Sequence, residues 1–254
     1  MLDICWRKLL KSGSPFVFSL AILFFGKRVS AQSIAEDSTL FQIAISNTYS
    51  IYYRQLGDQS PFFNGSHYAN IGFTFRMGSP YFLSDHFSRG SVVYDGILFD
   101  SLSLLYEDLR QLLVAKNESY LLQFVSQRIT SFTVAGHAFV RLVADSTHKG
   151  ISKTGFYEII YAGQSQVLKE TDKNIVEVPS ANEGMLRDIN GVDNYYVKIA
   201  NEFMRVRSGS ELPKIFCAHQ KEVQRFIKKN KLNFRRNKED TIVQAAIFND
   251  QTAK

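Results

Sequence analysis

Four times in this chain, two short runs of aromatic and β-branched residues are separated by a turn of two to four residues. Ser91–Tyr94 and Ile97–Phe99 flank Asp95-Gly96; Ile129–Val134 and His137–Val143 flank Ala135-Gly136. Phe156–Tyr161 and Gln166–Lys169 flank Ala162-Gly163; Tyr195–Ile199 and Glu202–Val206 flank Ala200-Asn201. A connection this short joins only antiparallel neighbours, because parallel strands need a crossover of a dozen residues or more. The repeated pattern therefore predicts a hairpin meander, with strand texture over residues 68–207. Leu102–Val114, richer in leucine, is read as strand by its context.

The ends of the chain read differently. Phe41, Ile45, Tyr49, Tyr52 and Leu56 recur at spacings of four and three, which places them on one face of a helix over 38–56. Ser38 is placed to cap it, and Gly57 with Ser60-Pro61 ends it. Residues 171–194 are polar and mixed, with Pro179, Gly184 and Gly191, and read as a long loop or flap. Residues 210–248 read as two docked helices. Val223, Phe226 and Ile227 form one apolar stripe, and Ile242, Val243, Ala246 and Ile247 form another. Phe226, Ile227, Ile242 and Ile247 are expected inside, and Lys228, Lys229, Arg235 and Arg236 in water. The expected fold class is α+β. It is mainly an antiparallel sheet, with an N-terminal helix and C-terminal helices packed on it, in a single domain over 32–254.

Residues 1–31 read as a signal peptide. Arg7, Lys8 and Lys11 precede the apolar run Phe16–Gly26, and Val29-Ser30-Ala31 supplies small residues before Gln32. The run is short of the ~20 residues a spanning helix needs. An uncleaved anchor is the competing reading, supported by Lys27 and Arg28. Cleavage removes five basic residues and one acidic residue, lowering the formal net charge from +6 to +2. The basic character of the whole chain is thus largely that of its leader, which argues against a nucleic-acid partner. The remaining charge is uneven: residues 32–200 carry a net −4 and residues 201–254 a net +6. A solvated helix face accounts for most such runs. The dense stretch 228–238 could also contact an anionic or acidic partner, or a membrane surface. Cys217 is left alone, so the mature chain has no internal disulfide. Its place after Leu212–Phe216 predicts a buried, inert thiol.

Catalytic motifs are lacking. Gly163-Gln164-Ser165-Gln166-Val167 misses the final glycine of a nucleophile elbow, and neither a Gly-rich phosphate loop nor a His/Cys metal motif occurs. His67, His86, His137, His148 and His219 are too far apart in sequence to chelate locally. Asp95, Asp100, Glu107 and Asp108 cluster in sequence; Asp95 belongs to its turn, and an acid–base pair among the others depends on geometry. No catalytic, cofactor-binding or metal-ligating residue is assigned.

One set of residues carries a resemblance. Asn64-Gly65 with Tyr68, Gly78-x-Pro80-Tyr81-Phe82 and Gly90-Ser91-Val92-x-Tyr94-Asp95-Gly96 belong to it, with Leu104 and Tyr106. Gly155-Phe156-Tyr157-Glu158, Tyr161-x-Gly163, Ile227–Leu232 and the Ala31-Gln32 junction complete it. Together they resemble an uncharacterised family of exported Bacteroidota proteins, a domain of unknown function. The resemblance implies export and a β-rich fold, and carries over no functional residue. The leading expectation is a non-enzymatic envelope or secreted protein that binds or scaffolds a partner. Two others stay open: a carrier of an apolar ligand under a curved sheet, and an envelope-polymer hydrolase whose site is assembled from distant residues.

Overall fold

The computed structural model describes residues 65–116, 121–182 and 184–252. The signal segment and the helix expected over 38–56 lie outside the described residues. Within them, eleven strands form one antiparallel sheet. They are β1 (Ser66–His67), β2 (Ser88–Tyr94), β3 (Ile97–Glu107), β4 (Leu112–Lys116), β5 (Leu121–Gln123), β6 (Ile129–Val134), β7 (His137–Leu142), β8 (Gly155–Ala162), β9 (Gln166–Ser180), β10 (Gly184–Ile199) and β11 (Glu202–Val206). Their spatial order is β1-β5-β4-β3-β2-β6-β7-β8-β9-β10-β11. Two meanders thus meet where β2 pairs with β6. Three helices follow: α1 (Leu212–Ile215), α2 (Gln220–Lys229) and α3 (Lys238–Thr252).

The tight turns set this topology. Asp95 and Gly96 have φ of 51° and 77°, and Ala135 and Gly136 have 51° and 83°. Positive φ at both central residues gives the turn the twist its strands need. Arg128 pairs with the Asp95 carboxylate and lies over the Tyr94 ring, tying the first turn to the start of β6.

Side chains alternate across the sheet, so each face has its own cores. On one face, Phe132 stacks on Phe139 at 4.7 Å, with Tyr106 and Phe156 packed against them. Further along the same face, Val167, Tyr195 and Val197 meet Leu212, Phe216, Val223, Ile242 and Ala246 from the helices. On the opposite face, Tyr157, Leu168, Tyr196 and Phe203 form a separate cluster.

Several sequence expectations need correction. Residues 68–87 are irregular apart from an isolated bridge, not strand; Gly72, Gly78 and Pro80 break a stretch whose aromatics suggest sheet. Leu102–Val114 is two strands, with a turn at Asp108–Gln111 between them. The supposed loop at 171–194 is the outer part of a long β9–β10 hairpin, paired in register from Gly184↔Ser180 to Lys198↔Gln166. Pro179 sits near its tip, where its missing N–H costs least. The strand Met77–Asp188 bridge is parallel, so segment 76–78 runs beside β10. Gly78 makes this approach: its φ is 82°, and any Cβ there would overlap the Ile189 carbonyl.

The tail is helical as expected, with differences in detail. Val223 and Ile242 are fully buried, whereas Phe226, Ile227 and Ile247 are half-buried. Phe226 stacks on Phe248 at 4.3 Å, so its shielding comes from α3. Lys228, Lys229, Arg235 and Arg236 face water. Cys217 is exposed rather than buried, because the chain leaves α1 at Phe216 and turns into a short 3-10 segment over Cys217–His219.

Candidate functional site

Between the two apolar clusters of the inner face lies a strip of ionisable side chains. β8 supplies Glu158, spaced between Phe156 and Ile160 so that it shares their face. β9 supplies Lys169, Thr171 and Lys173 by the same alternation. His137 comes from the start of β7, Asp108 from the β3–β4 turn and Glu239 from α3.

These groups are joined in two chains. His137 Nδ1 lies 2.6 Å from Glu158 Oε1, and Lys169 Nζ lies 3.4 Å from Glu158 Oε2. Lys169 continues to Glu239 at 3.2 Å, and the Tyr195 hydroxyl donates to the same Glu239 oxygen at 3.1 Å. Burial disfavours charge on Lys169, but Glu158 and Glu239 outweigh it and its pKa rises. In the second chain, Lys173 Nζ donates to the carbonyls of Ser79 and Tyr81, both at 2.9 Å. It also sits 2.7 Å from Asp108 Oδ1, as a charge contact without hydrogen-bond alignment. Burial pushes the Asp108 carboxyl up to about 6, against the pull of Lys173.

Asp108, Glu158 and Lys169 border one small pocket, roofed by Phe82. Phe82 is held by its N–H to the Tyr106 carbonyl, and its ring meets His137 and Phe139 edge-on at about 5 Å. The interior space is about 10 Å³, enough for roughly one water molecule. Asp108 Oδ1 and Glu158 Oε2 are both buried there without an aligned donor. Chemically, the pocket can hold a proton near neutral pH and bind one small polar molecule.

The other sequence candidates are scattered. Asp95 serves its turn and Asp100 is exposed. Glu107 is fully buried, pairs with Arg110 and accepts from the Tyr68 hydroxyl at 2.6 Å. His67 and His86 are exposed, His86 beside Asp85. His148 pairs with Asp145 in the β7–β8 loop. His219 and Cys217 border an open hollow, and the Cys217 thiol donates to the Lys214 carbonyl. Among the described residues, no group of three or more His, Cys, Asp or Glu is arranged to hold a metal ion. Of the predicted candidates, only His137 and Asp108 reach the strip. Glu158, Lys169 and Lys173 are not among the sequence candidates for chemistry; the one available signal is a charged residue at an inward position of an otherwise apolar strand.

No helix among the described residues is long and apolar enough to cross a membrane. Comparison with protein-family models, with curated proteins and with solved structures gives no match to this chain.

Proposed function

We propose that the chain is an exported envelope or secreted protein that binds or scaffolds a partner without turning over a substrate. The signal-like leader supports export, as does the resemblance to exported Bacteroidota proteins. The observation that carries the binding reading is the pairing within the inner strip. His137, Glu158, Lys169 and Glu239 are committed to one another, and Glu158 and Lys169 of this set border a pocket with room for about one water. Paired charges in a closed space serve to fix β7, β8, β9 and α3 relative to one another. An apolar-ligand carrier draws no support from this pocket, which is polar and water-sized.

The hydrolase reading has one specific observation in its favour. Two buried carboxylates face the same pocket, and Asp108 holds its proton to about pH 6, as a general acid does. Co-sedimentation with purified envelope polymers, peptidoglycan and surface polysaccharide, separates the two. Binding without release of soluble fragments is the expected result. Fragment release that disappears in Asp108→Asn or Glu158→Gln overturns it.

A further inference from the structure

The strongest uncompensated charge lies elsewhere, on the helical end of the chain. From Arg205 to Lys238 there are eleven basic residues and two acidic ones, Glu211 and Glu222. Two loops of this stretch are pressed together. The loop after β11 carries Arg207, Ser208, Gly209 and Ser210, and the α2–α3 turn carries Asn233, Phe234 and Arg235. Gly209 permits their contact, since a Cβ there would sit 2.9 Å from the Phe234 Cβ. At the junction is an open hollow of about 550 Å³.

The chemistry of its lining is one-sided. Arg207 and Arg235 both line the hollow, and both are exposed and without an ion-pair partner among the described residues. Ser208 and Ser210 bring their hydroxyls within 3.0 Å of each other. The Asn233 side-chain oxygen accepts from the backbone N–H groups of Arg235 and Arg236, which commits its oxygen and leaves its NH₂ as a donor. No carboxylate lines the hollow. Lys238, whose ammonium lies over the Phe234 ring, has a pKa lowered first by burial and then by Arg205, with Asp193 opposing. The region thus holds more positive charge than its own carboxylates offset.

We propose that this hollow binds a phosphate-type oxyanion, held by the Arg207 and Arg235 guanidinium groups, with the Asn233 NH₂ and the one hydroxyl proton that the Ser208–Ser210 pair leaves free as neutral donors. Two planar forks and several hydroxyl or amide donors match an anion with three or more acceptor oxygens better than a carboxylate or a halide. The site is separate from the inner strip and does not depend on whether that strip is inert.

Titration calorimetry of the full chain with inorganic phosphate tests this, at constant ionic strength set with chloride. A parallel arm measures binding to vesicles of phosphatidylglycerol in phosphatidylcholine, against phosphatidylcholine alone. The two arms separate free phosphate from a lipid headgroup as the source. Arg207→Gln with Arg235→Gln is compared with Lys228→Gln with Lys229→Gln, a pair of equal charge change outside the hollow. Phosphate, vesicles or both should bind wild type, with at least tenfold weaker binding in the arginine pair and little change in the lysine pair. In wild type, phosphate should also shift the backbone amide resonances of Ser208 to Ser210, a readout independent of any variant. Equal losses in the two pairs, or no binding in either arm, overturns the proposal.

Discussion

Replacing Asp108 by Asn should stabilise this protein at neutral pH and leave it unchanged in acid. Asp108 is 4% exposed, and its carboxyl is raised from 3.8 to about 6, chiefly by burial. Between those values the folded chain holds a proton that the unfolded chain has lost. Stability from this group is therefore fully present below about pH 3.8 and is lost as pH rises through about 6. A shift of about two units corresponds to roughly 3 kcal/mol. Asn is a neutral mimic of the protonated acid and keeps an oxygen facing the Lys173 ammonium. Urea unfolding at intervals from pH 4 to pH 8 should show Asp108→Asn gaining up to about 3 kcal/mol over wild type above pH 7, with the gap closing toward pH 4. Taking the difference cancels the opposite acid-side losses from Asp145, Asp188 and Glu202, whose pKa values are lowered. A variant less stable than wild type by an amount independent of pH refutes the reasoning. It would mean that the Lys173 contact outweighs the cost of burying the charge.

Three further outcomes follow from the packing. Ile242→Ala should cost about 2–5 kcal/mol in equilibrium unfolding, because Ile242 is fully buried, and Phe226→Ala clearly less, because Phe226 is only half-buried. Asp250→Ala should cost at least about 2 kcal/mol, since it strands the Ser165 N–H and hydroxyl and the Tyr161 hydroxyl, all of which donate to this carboxylate; Asp250→Asn should recover part of the loss. Cys217 should react with a maleimide in the native state at a rate near that of a free thiol, since it is exposed.

How far the sequence could be read depended on whether a feature was local. The turns at Asp95-Gly96 and Ala135-Gly136 were legible because the residues that permit positive φ are the turn itself. The helical tail was legible because Val223, Phe226 and Ile227 fall on one face of α2 at helical spacing, with charged and polar residues around the rest of it. The β9–β10 arm was not. It has solvent on much of both faces, with Ile175, Met185 and Val192 exposed, so it lacks the one-sided alternation that marks a half-buried strand. The exposure of Cys217 is not legible because the buried residues Leu212, Pro213, Ile215 and Phe216 end one residue before it, at a change of direction that no local pattern announces. The inner strip was the least legible. His137, Glu158, Lys169 and Glu239 come from four elements, brought together by the pairing of β7 with β8 and β8 with β9 and by the docking of α3, and Asp108 reaches the same pocket from the β3–β4 turn.

The claim that this strip is structural can be tested in one variant, Glu158→Gln, measured for both stability and polymer cleavage. Glu158 joins His137 to Lys169 from a position 7% exposed. If it serves the fold, the substitution should lower stability by about 1–3 kcal/mol, and neither protein should release fragments from envelope polymers. If wild type releases fragments, and the variant loses that activity while becoming as stable or more so, the strip is an active site and the binding account is wrong.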